Sequence, residues 1–200
     1  MERVERAVTP NFEAGRRGRA PSAIVVHTTD GSFAGAKAWF ASPESGVSAH
    51  YLVSLPGDVV QFVDEADTAF HAGMESVPDI AVLGDEPPNL VTIGIEFADD
   101  GRPHDVDRPD QQYEAGALLL AGISRRWGIP LDHDHVLAHR RINPNKTCPA
   151  NLDVDELIDL AIAFAEVDDE LAAPDPGGPR VVVPRLVVMV PARNAAADLP

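Results

Sequence analysis

Apolar residues in this chain gather in short runs, most of them too short for helices and bounded by turn residues. Residues 23–27 (A-I-V-V-H) form a continuous apolar run of the kind buried on both faces of a sheet, closed by His27. Residues 49–54 (A-H-Y-L-V-S) and 58–63 (D-V-V-Q-F-V) flank Leu55-Pro56-Gly57, which predicts a hairpin. Residues 91–97 (V-T-I-G-I-E-F) predict a third buried strand with a charge, Glu96, embedded in it. Residues 136–138 predict a short strand that delivers His139 to its end.

Three stretches read as helical. Residues 33–41 predict a short helix stopped by Pro43. Residues 110–127 predict the main helix, with Pro109 at its start and Gly128-Ile129-Pro130 at its end. Its Tyr113, Ala117, Leu120, Ser124 and Trp127 form a stripe for packing on the sheet. A further helix opens on Asp153 and runs to about residue 167, with Glu156 as capping-box partner.

Two hundred residues suit one domain plus a tail. Residues 1–21 are polar and read as a flexible lead-in without the apolar segment of a secretory signal, which predicts synthesis in the cytoplasm. Residues 171–200, with P-D-P-G-G-P at 174–179, read as linker and tail. No run approaches the ~20 apolar residues of a membrane span. A formal charge of −16 argues against a nucleic-acid partner, and the one basic cluster, Arg16-Arg17-Gly18-Arg19, is short and near a terminus. A single cysteine rules out an internal disulfide.

That cysteine changes the picture. Residues 139–149 read H-R-R-I-N-P-N-K-T-C-P, bringing His139, Lys146 and Cys148 into one loop. Imidazole and thiolate are the side chains zinc prefers, and His27 at a strand end is the obvious further donor. Three protein ligands with a fourth position for water is the arrangement of a catalytic zinc site, so the residue types point to a zinc hydrolase. Glu96 needs a partner or a function, because a carboxylate in an apolar strand is otherwise costly. The long segment 64–90 carries His71 and has the length of a functional loop. His133 and His135 precede a strand and read as a solvated turn rather than a second metal site, and His104 carries no signal.

Five motifs now stand in order: H-T-T-D-G at 27–31, S-A-H-Y-L-V at 48–53, F-H-A-G at 70–73, N-L-V-T-I-G-I-E-F at 89–97 and the 139–149 loop. Together they resemble the zinc-dependent N-acetylmuramoyl-L-alanine amidases (type 2), a family of phage endolysins, wall and recycling amidases, and peptidoglycan-recognition proteins. The resemblance implies an α/β fold, a single domain at residues 22–170 with a central mixed β-sheet flanked by helices and a zinc site at the sheet edge. It implies one zinc ion on His27, His139 and Cys148, with peptidoglycan as substrate and hydrolysis of the amide between N-acetylmuramic acid and L-alanine.

By the same resemblance Glu96 is the general base and Lys146 stabilises the oxyanion, while His71, His50 and Asn89 are expected to serve substrate binding. Recycling amidases are expected to carry aspartate as third ligand, so Cys148 favours the endolysin and recognition-protein branches. A phage-type endolysin acting at the wall after release is the leading expectation. A non-catalytic binding module and a cytoplasmic recycling amidase are the alternatives; oligomeric state is open, with a monomer favoured. One departure stands out: phage-type amidases place a tyrosine where this chain has Ala49. Tyr51 is expected to face away from Ala49, which throws more weight on Glu96.

Overall fold

The computed structural model describes residues 4–73, 78–101 and 105–172, with side chains to residue 167. The tail at 173–200 and His104 lie outside the described residues. A six-stranded mixed sheet runs in the order β1 (Glu5–Arg6), β5 (Val59–Gln61), β4 (Tyr51–Val53), β7 (Thr92–Phe97), β3 (Ala23–Thr28), β8 (Val136–Ala138). The β4–β5 hairpin is antiparallel, and every other pairing in this sheet is parallel. A second ribbon pairs β2 (Phe12–Glu13) with β6 (Thr68–Ala69).

Strand alternation sorts the core into two layers. Ile24 and Val26 of β3 and Ile93, Ile95 and Phe97 of β7 pack on Tyr113, Ala117 and Leu120 of α3 (Asp110–Trp127) and Leu157 and Ile158 of α5 (Val154–Ala172). Each such aliphatic side chain, fully buried, contributes about 1.5–3 kcal/mol. α3 comes close because Gly116 has no side chain; a Cβ there would sit 2.5 Å from Phe97. The opposite face carries Ala23, Val25, Leu90, Val91 and Leu137, beside a cluster of Phe40, Ala49, Leu52 and Phe62 under α1 (Phe33–Ala41). Two short helices, α2 (Pro88–Val91) and α4 (His139–Ile142), lead into β7 and out of β8. Among the described residues no helix is long and apolar enough to cross a membrane.

Asp153 caps α5, accepting from the amides of Asp155 and Glu156, and its own amide donates to the Tyr113 hydroxyl at 2.9 Å, which ties α5 to α3. Residues 4–21, however, are no loose lead-in. They supply β1 and β2, and Arg16, the first residue of the short basic cluster, is only 4% exposed. Its guanidinium donates to the carbonyls of Glu65 (2.7 Å), Leu90 (3.0 Å) and Thr92 (3.1 Å) and lies 2.8 Å from His50 Nε2. Hydrogen bonds to a buried charge contribute more than neutral ones, and removing it strands several carbonyls. Arg16→Ala is therefore expected to lower stability by about 3 kcal/mol in urea titration; a loss within about 0.5 kcal/mol, typical of a surface position, would contradict this anchoring role.

Candidate metal centre and cleft

The site forms where the parallel strands β3, β7 and β8 reach their carboxyl ends, the place where open α/β sheets receive ligands. On β3, His27 continues the row Ala23, Val25 on the face away from α3 and α5. On β7, Thr92, Gly94 and Glu96 occupy that same face, and Glu96 is the register partner of His27. β8 ends at Ala138, so His139 opens α4 beside them. The chain then returns through a loop in which the Arg140 amide donates to the Cys148 carbonyl at 2.9 Å. Asn143 braces this loop by accepting the Asn145 amide on its side chain and the Lys146 amide on its carbonyl. The result is that one donor atom each from His27, His139 and Cys148 falls within 4.8 Å of the others.

A layer of backbone and side-chain contacts orients these donors. His139 Nε2 lies 2.9 Å from the Ala72 carbonyl, which can only accept, so Nε2 carries the proton and Nδ1 keeps its lone pair. Asn89 Oδ1 accepts the amides of His71 (3.2 Å) and Ala72 (2.9 Å), fixing the loop that supplies this carbonyl. The Thr28 amide donates to Cys148 Sγ at 3.1 Å. Burial holds the imidazoles of His27 and His139 below their ordinary pKa, and the Lys146 charge adds to this, so both are neutral donors at pH 7. Burial, with Glu96 nearby, pushes the Cys148 thiol up to about 12, so ionising it calls for a cation.

Glu96 stands at the mouth. Its Oε1 lies 4.0 Å from His27 Nδ1, and Oε2 is buried with no hydrogen-bond partner. Burial, reinforced by Asp99 and opposed by Lys146, raises its carboxyl to about 8. An orphaned carboxylate oxygen beside two neutral imidazoles and a thiol fits a bound cation with its water. The donors line an open cleft of about 490 Å³, together with Trp39, Phe40, Val47, Lys146 and Thr147.

Residues 17–151 match the family described as N-acetylmuramoyl-L-alanine amidase. The chain belongs to this family. It is 36% identical over 110 residues to N-acetylmuramoyl-L-alanine amidase A of Achromobacter lyticus, and it spans about half the length of that relative (54%; 54% of this chain). A crystal structure of a selenomethionine AmpD derivative is similar at a TM-score of 0.65 and 25% identity, over 80% of this chain and 95% of that one. A mutant endolysin from Bacillus subtilis shares the fold at a TM-score of 0.59 and 22% identity, over 80% and 99%. The Staphylococcus aureus hydrolase AmiA, in complex with its ligand, does so at 0.63 and 19%, over 86% and 88%. The single α/β domain with a mixed central sheet is thus the architecture of this family.

Among the residues singled out from the sequence, His27, His139, Cys148, Glu96 and Lys146 come together on the cleft, with Lys146 exposed on its wall. The three expected substrate contacts do not behave alike. His71 lines the cleft, but both ring nitrogens are engaged inside, with His27 Nε2 at 3.1 Å and Thr92 Oγ1 at 3.2 Å. His50 is fully buried and not on the cleft: Nδ1 accepts the Gly94 amide at 2.9 Å, and Nε2 faces Arg16 and the Asp67 carbonyl. It joins β4 to β7. Asn89 is a clamp on the His71 loop rather than a groove residue.

Tyr51 does face away from Ala49, though residues two apart in a strand would share a face. Regular β4 starts only at Tyr51, after a bend at His50, which leaves Ala49 among Phe40 and Leu52 while the Tyr51 hydroxyl donates to Glu65. His133 and His135 sit in the turn before β8, where His135 pairs with Asp132.

Sequence reasoning missed Thr28, Ala72, Thr92 and Gly94. The signal for the last two was the alternation T-x-G-x-E on β7, which places both on the face of Glu96.

The Glu96 carboxyl makes a pH prediction for metal-free protein. Its folded-state value of about 8 lies above the ordinary 4.5, so the folded state holds a proton that the unfolded state gives up, and stability falls as pH rises from 4.5 through 8. Glu96→Gln has no proton to lose. In chelator, the variant should melt higher than wild type at pH 8, with the advantage vanishing near pH 4; parallel melting curves across that range would refute the buried-acid assignment.

Proposed function

We propose that this chain hydrolyses the amide joining the lactyl group of N-acetylmuramic acid to the L-alanine of the peptidoglycan stem, using one zinc ion on His27, His139 and Cys148. The observation that carries the reading is the convergence of those three donors beside the unpartnered Oε2 of Glu96, on an open cleft, in a member of this family. When bound there, zinc supplies a polarised carbonyl and a water acidic enough to attack near neutral pH.

The remaining work falls to the protein. Glu96 is the general base that takes the proton from the attacking water and then delivers it to the nitrogen of the leaving L-alanine. In the metal-free protein its surroundings raise this carboxyl to about 8; a zinc ion beside it would favour the carboxylate, the form that can take the proton. Lys146 places a positive charge on the cleft wall for the oxyanion of the tetrahedral intermediate. Trp39, 55% exposed, gives the cleft an aromatic face suited to a sugar ring or stem peptide.

Cys148, rather than a carboxylate, as third donor supports wall lysis of the endolysin kind over recycling of soluble muropeptides. The intact donor set and Glu96 count against a binding-only module.

The test is a digest of isolated peptidoglycan read by mass spectrometry. The expected products are lactyl-free stem peptides with new N-terminal L-alanine, absent when a chelator is present. Glu96→Gln should retain wall binding and lose turnover by about 10²–10⁴-fold, and Cys148→Ser should lose activity at limiting zinc. Cleavage at any other bond, or undiminished activity in chelator or in Glu96→Gln, would overturn the reading. A preference for soluble muropeptides over intact walls would favour the recycling role.

A further inference from the structure

His71 has two nitrogens, both buried and both bonded, yet it touches the cleft only as lining. The bonds follow one direction. Thr92 Oγ1 lies 2.7 Å from the Pro88 carbonyl, which can only accept, so the single hydroxyl proton of Thr92 is spent there. Its oxygen, 3.2 Å from His71 Nε2, is left to accept, which puts the proton of a neutral His71 on Nε2 and a bare lone pair on Nδ1. That lone pair faces His27 Nε2 at 3.1 Å, and two imidazole nitrogens at this distance need one donor and one acceptor. His27 is therefore the donor through Nε2, and its bare nitrogen is Nδ1, the one turned toward Glu96.

We infer that Thr92 and His71 are positioning residues that fix the tautomer of His27, so that Nδ1 is presented as the donor to a cation on the cleft side. Gly94 belongs to the same device. A Cβ at that position would lie 2.4 Å from the His71 ring, so only glycine leaves room for the ring against β7. The alternating Thr92, Gly94 and Glu96 thus share one strand face: the first sets the proton direction, the second makes room for the relay, and the third keeps its Oε2 without a hydrogen-bond partner. His139 reaches the same state by a shorter route, through the Ala72 carbonyl, so both imidazoles offer Nδ1.

The zinc part of this inference rests on the function proposed above; the tautomer part does not. Long-range proton–nitrogen correlation spectra of nitrogen-15-labelled, metal-free protein read the imidazole protonation sites directly. Wild type is expected to carry His27 and His71 protonated at Nε2 and bare at Nδ1. Thr92→Val keeps the shape and removes the acceptor, so His27 should become a mixture of tautomers. Zinc affinity, measured by competition with a chromophoric chelator, should fall by roughly 10- to 100-fold, the usual effect of losing such an orienting partner. Thr92→Ser should restore both. A wild-type His27 protonated at Nδ1, or a Thr92→Val protein with unchanged tautomer and unchanged zinc affinity, would overturn the inference. Wild type with the expected tautomers but no zinc binding would instead overturn the metal reading and leave the relay standing.

Discussion

A water-poor face at the ends of β3 and β7 must account for every N–H it buries. His27, His50, His71 and His139 all lie there at or below 8% exposure, within reach of one another, and none can be charged without cost. Each neutral ring therefore carries one N–H to be satisfied and one lone pair, and the carbonyls of Pro88, Asp67 and Ala72 set the directions because they can only accept. The lone pairs left over point where the chain has not filled space: toward Cys148 and Glu96. What looks like a cluster of reactive residues is first the outcome of satisfying polar groups in a dry place.

This constraint also explains why the site needs so much of the chain. The donors come from β3, α4 and a loop near residue 148, but the groups that orient them come from β7, from the stretch around residues 71–72 and from Asn89. Arg16 then ties the N-terminal segment to the carbonyls at the head of β7 and to His50. Stability is given up at the mouth, where Glu96 is left unpartnered and raised, and recovered behind it in an almost fully satisfied polar layer. That division is what a site needs if its base is to remain available while its donors stay rigid.

The elements were legible because their limits are written in local chemistry. Apolar runs stop at His27, Phe97 and Ala138, and proline and glycine punctuate the hairpin and α3. The donor residues were legible for the same reason, since chemically unusual side chains stand at strand ends. Roles that depend on distant backbone were not. Nothing local marked Arg16 as an anchor, because its partners are carbonyls 49 to 76 residues away. His50 and His71 looked alike in sequence, and only packing separates a tie between strands from an orienting partner of His27. The bend at His50 breaks the alternation on which any reading of Ala49 and Tyr51 relies.

The central claim is that His27, His139 and Cys148 form one metal centre. Zinc-edge X-ray absorption on protein loaded with a single equivalent of zinc tests it most directly. The expected spectrum shows two imidazole nitrogens, one sulfur at about 2.3 Å and one light atom, with the sulfur contribution lost in Cys148→Ser. A spectrum with nitrogen and oxygen neighbours alone, or sulfur surviving that substitution, would contradict it.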